Sequence, residues 1–181
     1  MTDFTLYDIE SAPESSKPLL ESSVAAFGMI PNLHAVMAES PELLEAYQKL
    51  HTLFSASTLN AEEKTVVWQT INVANECHYC VPAHTGIAHS MKVDPAITAA
   101  LRDRQDMPTE ALQVLHETTL GLFRNRGRLT EAELERFYAA GYNKRQLLEI
   151  VLGIGQKTLS NYTNHLADTP VDEAFQPFAW N

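Results

Sequence analysis

The sequence predicts an all-α chain, and three observations predict it. Apolar residues recur at three- and four-residue spacing through most of the length. Helix-start signals precede these stretches one after another. Strand alternation bounded by tight-turn dipeptides is absent.

The stretch to about Ser22 mixes Pro13, Pro18 and several serines with little periodicity. It is expected as an extended N-terminal arm, residues 1–22, packed on a single helical domain, residues 23–181. Ser40-Pro41-Glu42 opens a helix, with Ser at the N-cap and Pro at the first position, where its missing N–H does no harm. Leu43, Leu44, Tyr47, Leu50, Leu53 and Phe54 follow on one face. Asn60 with Glu63 forms the reciprocal cap of the next helix, whose apolar side carries Val66, Val67, Ile71 and Ala74. Asp94-Pro95 opens a short helix, and Thr109-Glu110 another bearing Leu112, Leu115 and Leu122. Thr130 with Glu133, and Asn143 with Gln146, repeat the reciprocal cap. The second of these starts a long helix running through Leu147, Ile150, Val151, Ile154, Leu159, Tyr162 and Leu166. Leu53-Phe54 before Asn60-Ala61-Glu62-Glu63 is echoed by Leu122-Phe123 before Thr130-Glu131-Ala132-Glu133. Two pseudo-repeated halves and two ordinary helical corners explain that echo equally well.

Composition narrows the function. The chain has 181 residues, 45% of them hydrophobic, enough for a real core. Lys plus Arg total 13 against 23 for Asp plus Glu, a formal net charge of -10. Such a surface repels phosphate backbones and anionic lipid, so neither nucleic acid nor membrane is an expected partner. Met1-Thr2-Asp3-Phe4-Thr5-Leu6-Tyr7-Asp8 lacks the basic and apolar regions of a signal peptide, and no run approaches ~18 apolar residues. A cytoplasmic protein is expected.

The two cysteines, Cys77 and Cys80, stand in Asn75-Glu76-Cys77-His78-Tyr79-Cys80-Val81-Pro82-Ala83-His84. Two are too few for a secreted disulfide scaffold. A helix beginning near Cys77 or His78 would put Pro82 in its early turns, and its orphan N–H groups and dipole would stabilise a thiolate. His84, four residues after Cys80, shares its face and can take or stabilise the thiol proton. A structural zinc site from Cys77, Cys80, His84 and His78 or His89 is an alternative, as is a non-catalytic redox-sensing module on the same fold. A thioredoxin-like motif would need a βαβ context that the helical flanks deny.

Cys77-x-x-Cys80-x-x-x-His84, entered from a helix beginning near Leu59, resembles the alkylhydroperoxidase D (AhpD)-like core of the carboxymuconolactone decarboxylase family. Phe27-Gly28-Met29-Ile30-Pro31-Asn32-Leu33-His34, with Ser40-Pro41-Glu42-Leu43-Leu44 after it, resembles the peroxidase-related branch. Asn161-Tyr162-Thr163-Asn164-His165 followed by Thr169-Pro170 does so too. The resemblance spans most of Phe27 to Phe175. It implies an antioxidant thiol peroxidase with no metal or other cofactor. The cysteine matching Cys80 would attack a hydroperoxide, the one matching Cys77 would resolve the sulfenic acid to a disulfide, and His84 would belong to a proton relay. It further implies a dithiol reductant such as a lipoyl-bearing partner, and a homo-oligomer, trimer or hexamer. Family members that act as lyases do not rely on a CxxC pair.

The resemblance breaks at one place. The family's relay glutamate, twelve residues before the first cysteine, is Thr65 here. Glu62 lies on nearly the same helical face and is the candidate replacement. Glu62, Thr65, Gln69, Asn72 and Glu76 form a polar stripe, expected as a solvated face or, functionally, as a rerouted relay with Glu62 or a water held by Gln69. His34, His51 and His116 are expected at core boundaries with satisfied nitrogens, Trp68 in the core or a subunit interface. Asn161 and Asn164 are expected to satisfy buried backbone groups, and His165, on the same helix, to be able to approach the thiols.

Overall fold

The computed structural model describes residues 4–180. It consists of helices α1 (Lys17–Phe27), α2 (Asn32–Met37), α3 (Pro41–Ser55), α4 (Ala61–Ala74), α5 (Cys80–Ser90), α6 (Pro95–Arg102), α7 (Glu110–Arg124), α8 (Glu131–Ala139) and α9 (Lys144–Ala167). A 3-10 helix (Glu173–Phe178) follows, and no strand occurs among the described residues. The all-α expectation holds. The capping predictions hold as well. Ser40, Asn60, Asp94, Thr109, Thr130 and Asn143 each accept a backbone N–H of the helix they precede. Asn60–Glu63, Thr130–Glu133 and Asn143–Gln146 are complete reciprocal boxes.

Two boundaries differ from expectation. The arm becomes helical at Lys17 because Pro18 falls in a first turn and Ser16 anchors that turn by donating to the Ala38 carbonyl at 2.6 Å. The arm's residues 1–3, which include the start of the signal-peptide reading, and residue 181 of the domain lie outside the described residues. The helix after the CxxC begins at Cys80, not at Cys77 or His78. Glu76 adopts a left-handed conformation (φ 52°), and the Cys77 N–H bonds back to the Asn72 carbonyl at 3.0 Å. Cys77 therefore closes α4 and Cys80 opens α5.

Helix α4 is the centre of the molecule. It packs against α5, α6, α7 and α9, and Thr65 to Val73 are buried without interruption. One apolar cluster joins it to α6, α7, α8 and α9 through Phe54, Ile71, Leu101, Leu115, Phe137 and Ile150. A second joins α1, α2 and α3 to Cys77, Tyr79, Cys80 and Ala83. The C-terminal segment then straps across α5. The Asp172 carboxylate accepts from the Tyr79 hydroxyl at 2.5 Å and from the Asn32 N–H at 2.9 Å. Arg102 donates to the carbonyls of Phe178 and Ala179, both at 2.8 Å. No helix among the described residues is long and apolar enough to cross a membrane.

Gly153 sets the approach of α9 to α3 and α4. A Cβ there would stand 2.8 Å from the Phe54 ring and 2.9 Å from Val67 Cγ1. Both neighbours are fully buried, so neither can withdraw without opening the core. Gly153→Ala is expected to destabilise the fold by about 1–3 kcal/mol, read as a lower urea midpoint. An unchanged midpoint would show that α9 can move out freely.

Candidate active site

The middle of the polar stripe, Thr65, Gln69 and Asn72, is buried, contrary to the solvated face expected, while its ends, Glu62 and Glu76, are exposed. Gln69 and Asn72 are fully buried, and each side-chain amide is used in full. Gln69 Nε2 donates to the Val81 carbonyl and to Thr85 Oγ1, both at 3.0 Å. Asn72 Nδ2 donates to Gln69 Oε1 at 2.9 Å and to the Cys80 carbonyl at 3.3 Å. Asn161 of α9 donates to Asn72 Oδ1 at 3.0 Å and accepts from Asn75 Nδ2 at 2.7 Å. The amides thus fix the first turn of α5, which Cys80 opens, against the end of α4 that Cys77 closes. The Thr65 hydroxyl only bonds back within its own helix, donating to the Ala61 carbonyl.

The two thiols are not equivalent. Cys80 lines a cavity of about 90 Å3 together with Phe27, Tyr47, His51, His84, Lys157 and Phe175, whereas Cys77 does not reach its wall. Asn164 Nδ2 donates to Cys80 Sγ at 3.2 Å and lies 3.9 Å from Cys77 Sγ. The Cys80 N–H, at the start of α5, points to Cys77 Sγ at 3.3 Å. Burial opposes ionisation of Cys80, but the hydrogen bond from Cys77, the positive charge of Lys157 and the polar groups of Ser160 and Asn161 outweigh it, holding that thiol below its ordinary range. Cys77 is pushed up by the same hydrogen bond to Cys80, by burial and by the charge on Cys80. Both residues are free thiols.

Lys157 is fully buried on the inner face of α9 and forms no ion pair among the described residues. Its Nζ stands 2.9 Å from His84 Nε2. An ammonium only donates, so His84 Nε2 accepts and the neutral ring carries its proton on Nδ1. That Nδ1 is buried without a partner. Burial and Lys157 keep His84 well below the ordinary histidine range, hence neutral. Trp68 is a core residue, 2% exposed, its ring 4.9 Å from that of His84. It donates to Gln156 Oε1 at 2.8 Å, and Gln156 Nε2 donates to His51 Nδ1 at 3.0 Å. His34 shares a hydrogen bond with Ser23 and His116 with Thr70, so these histidines have satisfied nitrogens as expected.

Glu62 is not brought to the thiols. It is exposed in the first turn of α4, while Cys77 follows that helix's far end, roughly 20 Å away along the axis at 1.5 Å per residue. His165 is exposed too. The ligands of the zinc alternative do not converge: His78 is exposed beside Trp180, His89 lies against Phe178 with the rings tilted, and His84 is engaged by Lys157. Among the described residues no three His, Cys, Asp or Glu side chains group to hold a metal ion. Asn161 and Asn164 do not serve backbone groups as expected: the Asn161 amide bonds the side chains of Asn72 and Asn75, and Asn164 Nδ2 contacts the thiols themselves. Lys157 escaped the sequence reading altogether. Its signal was its position: it lies at helical spacing from Ile150, Gly153, Asn161 and Asn164, on the buried face.

With this geometry established, comparison with solved structures places the architecture. The fold is that of the alkylhydroperoxidase AhpD core. An AhpD-core, peroxidase-related protein from Ralstonia eutropha JMP134 superposes with TM-score 0.82 at 18% identity, covering 97% of this chain and 96% of that one. A peroxidase-related protein from Silicibacter sp. TM1040 gives 0.78 at 19% identity over 97% and 96%. The debrominase Bmp8, as a cysteine-to-alanine variant in complex with 2,3,4-tribromopyrrole, gives 0.76 at 21% identity over 98% and 95%. No family model and no curated protein matches the sequence.

The buried imidazoles make stability pH-dependent. Burial, then the neighbouring His51, lowers His34 to about 4 from 6.5. Burial, then the Lys157 charge, lowers His51 to about 4 likewise. The unfolded chain therefore binds more protons than the folded one as pH falls from about 6.5 to about 4. Stability is fully present above that window and is lost through it, by up to about 1.4 kcal/mol per pH unit for each histidine. Urea titrations across the window are expected to show this slope, reduced in His51→Gln. An equal slope in that variant would locate the effect elsewhere.

Proposed function

We propose that the chain is a thiol-dependent peroxidase whose Cys77–Cys80 pair cycles between dithiol and disulfide. One observation above all supports this: the cavity wall presents Cys80, next to a buried cation and a neutral histidine, while Cys77 stands behind it within hydrogen-bond reach. Cys80, as thiolate, attacks the outer oxygen of a hydroperoxide and becomes a sulfenic acid. Cys77, held protonated, then attacks the Cys80 sulfur, releasing water and forming the disulfide. His84 takes part in proton transfer at the cavity. A dithiol, of the lipoyl kind by resemblance, restores both thiols. No carboxylate lines the cavity, so Glu62 has no part in the relay.

A second reading has its own support in the aromatic wall of Phe27, Tyr47 and Phe175 and in the likeness to a debrominase solved with a brominated pyrrole. On an aryl halide the same thiols would release halide, a proton would take its place on the ring, and the Cys77–Cys80 disulfide would again form. Self-association, cytoplasmic location and a role in antioxidant defence complete the proposal. The outer face of α9 exposes Leu148, Val151 and Tyr162, which supports packing against further copies.

A stoichiometric peroxide pulse is expected to remove two hydrogens from the reduced protein, with the linked peptide joining Cys77 to Cys80. Cys80→Ser is expected to abolish peroxide consumption with a dihydrolipoyl reductant, and Glu62→Gln to leave it unchanged. Thiols that survive peroxide but are oxidised by a bromopyrrole would replace the first reading with the second. Thiols inert to both would end the redox proposal.

A further inference from the structure

We propose that Lys157 supplies the charge and the proton for the Cys80 chemistry: it holds the thiolate as its counter-ion and feeds a proton through His84 to the leaving oxygen. This rests on the peroxidase reading for its second half only. An ammonium removed from water without an anion is strongly unfavourable. Yet Lys157 is fully buried, and no aspartate or glutamate lines its cavity. The titratable groups around it are Cys77, Cys80 and His84 from the CxxC turn and α5, His51 and Tyr47 from α3, and His34 from α2. Tyr79, on the same wall, is bound to Asp172 on the strap. The imidazoles are neutral and burial raises Tyr47, so the anion that this site can form is the Cys80 thiolate. In the reduced state the pair exists as Cys80–S⁻ and Lys157–NH₃⁺.

The second half follows from the orientation of His84. Its Nε2 accepts from Lys157, which leaves Nδ1–H as a buried donor with no partner in a ring that lines the cavity beside Cys80. When the thiolate attacks ROOH, the S–O bond forms, the O–O bond breaks and RO⁻ departs. Nδ1–H protonates RO⁻ to ROH as Nε2 takes a proton from Lys157, which becomes a neutral amine. Cys77–SH then attacks Cys80–SOH, and its proton leaves with the hydroxide as water. Reduction by the external dithiol returns Cys80–SH, whose proton passes to His84 Nδ1 while Nε2–H returns to the Lys157 amine, so the thiolate, the ammonium and the starting tautomer are restored without a carboxylate. Lys157 acts at the oxygen through His84 and on sulfur through its charge.

Arginine and methionine separate the two roles, because guanidinium keeps the charge but does not release a proton at accessible pH. Cys80 alkylation by iodoacetamide, mapped by mass across pH in the full-length reduced protein, reads the thiolate without any peroxide. Wild type and Lys157→Arg are expected to share a low midpoint. Lys157→Met is expected to move it up towards the ordinary thiol range, slowing alkylation at neutral pH about tenfold or more. If Lys157→Met fails to fold, Lys157→Gln serves in its place. With peroxide, Lys157→Arg is expected to form sulfenic acid about tenfold or more slowly than wild type at equal thiolate content. An unshifted midpoint in the neutral variant would overturn the counter-ion role, and a full peroxide rate in Lys157→Arg would overturn the proton role. Wild type that alkylates with a low midpoint but ignores peroxide would sink the peroxidase reading and the proton role while leaving the ion pair standing.

Discussion

A chain of buried amides from Asn75 through Asn161 and Asn72 to Gln69 crosses between α4, α9 and the first turn of α5. Helix α4 is enclosed from Thr65 to Val73, so every polar group on that stretch must find a protein partner or forfeit its hydration. The partners it finds are the carbonyls of Cys80 and Val81 and the amide of Asn161. Removing one amide would orphan the next along the line, at about 1–3 kcal/mol for each buried group left unmatched. The position of both thiols is inherited from this network.

The chemistry rests on an asymmetry that the network creates. With Cys77 closing α4 and Cys80 opening α5, one sulfur faces protein and the other faces a cavity. Burial alone would keep both protonated. Lys157 and Asn164, two turns apart on the same face of α9, break the tie in favour of the cavity-facing sulfur. Gly153, one turn before Lys157 on the same helix, lets α9 come close enough for this to happen.

What was legible in the sequence was what is local. Caps at Asn60, Thr130 and Asn143 involve residues three apart and need no tertiary partner, and all of them appear in the structure. The CxxCxxxH spacing pointed to the fold, and Cys80 does share a cavity wall with His84. What failed was non-local. A stripe of Gln69 and Asn72 has the pattern of a wet face until α9 and α5 are known to cover it. Glu62 had the right helical phase but stands at the wrong end of α4, because phase says nothing about distance along an axis. Lys157 was invisible because a lysine in an amphipathic helix belongs by default to solvent, and only the packing of α9 against α3 and α4 puts it inside. The start of α5 lies two or three residues later than the sequence predicts because Glu76 takes a left-handed turn that its residue type does not announce.

The strap formed by Asp172, Phe175 and the carbonyls held by Arg102 also has a consequence in time. These residues follow every other part of the site in chain order, and domains assemble as the chain emerges from synthesis. Until they emerge, Tyr79 lacks the carboxylate that steadies it and the cavity lacks the wall that Phe175 provides. The enclosure of the thiols is therefore the last part of the site that synthesis supplies.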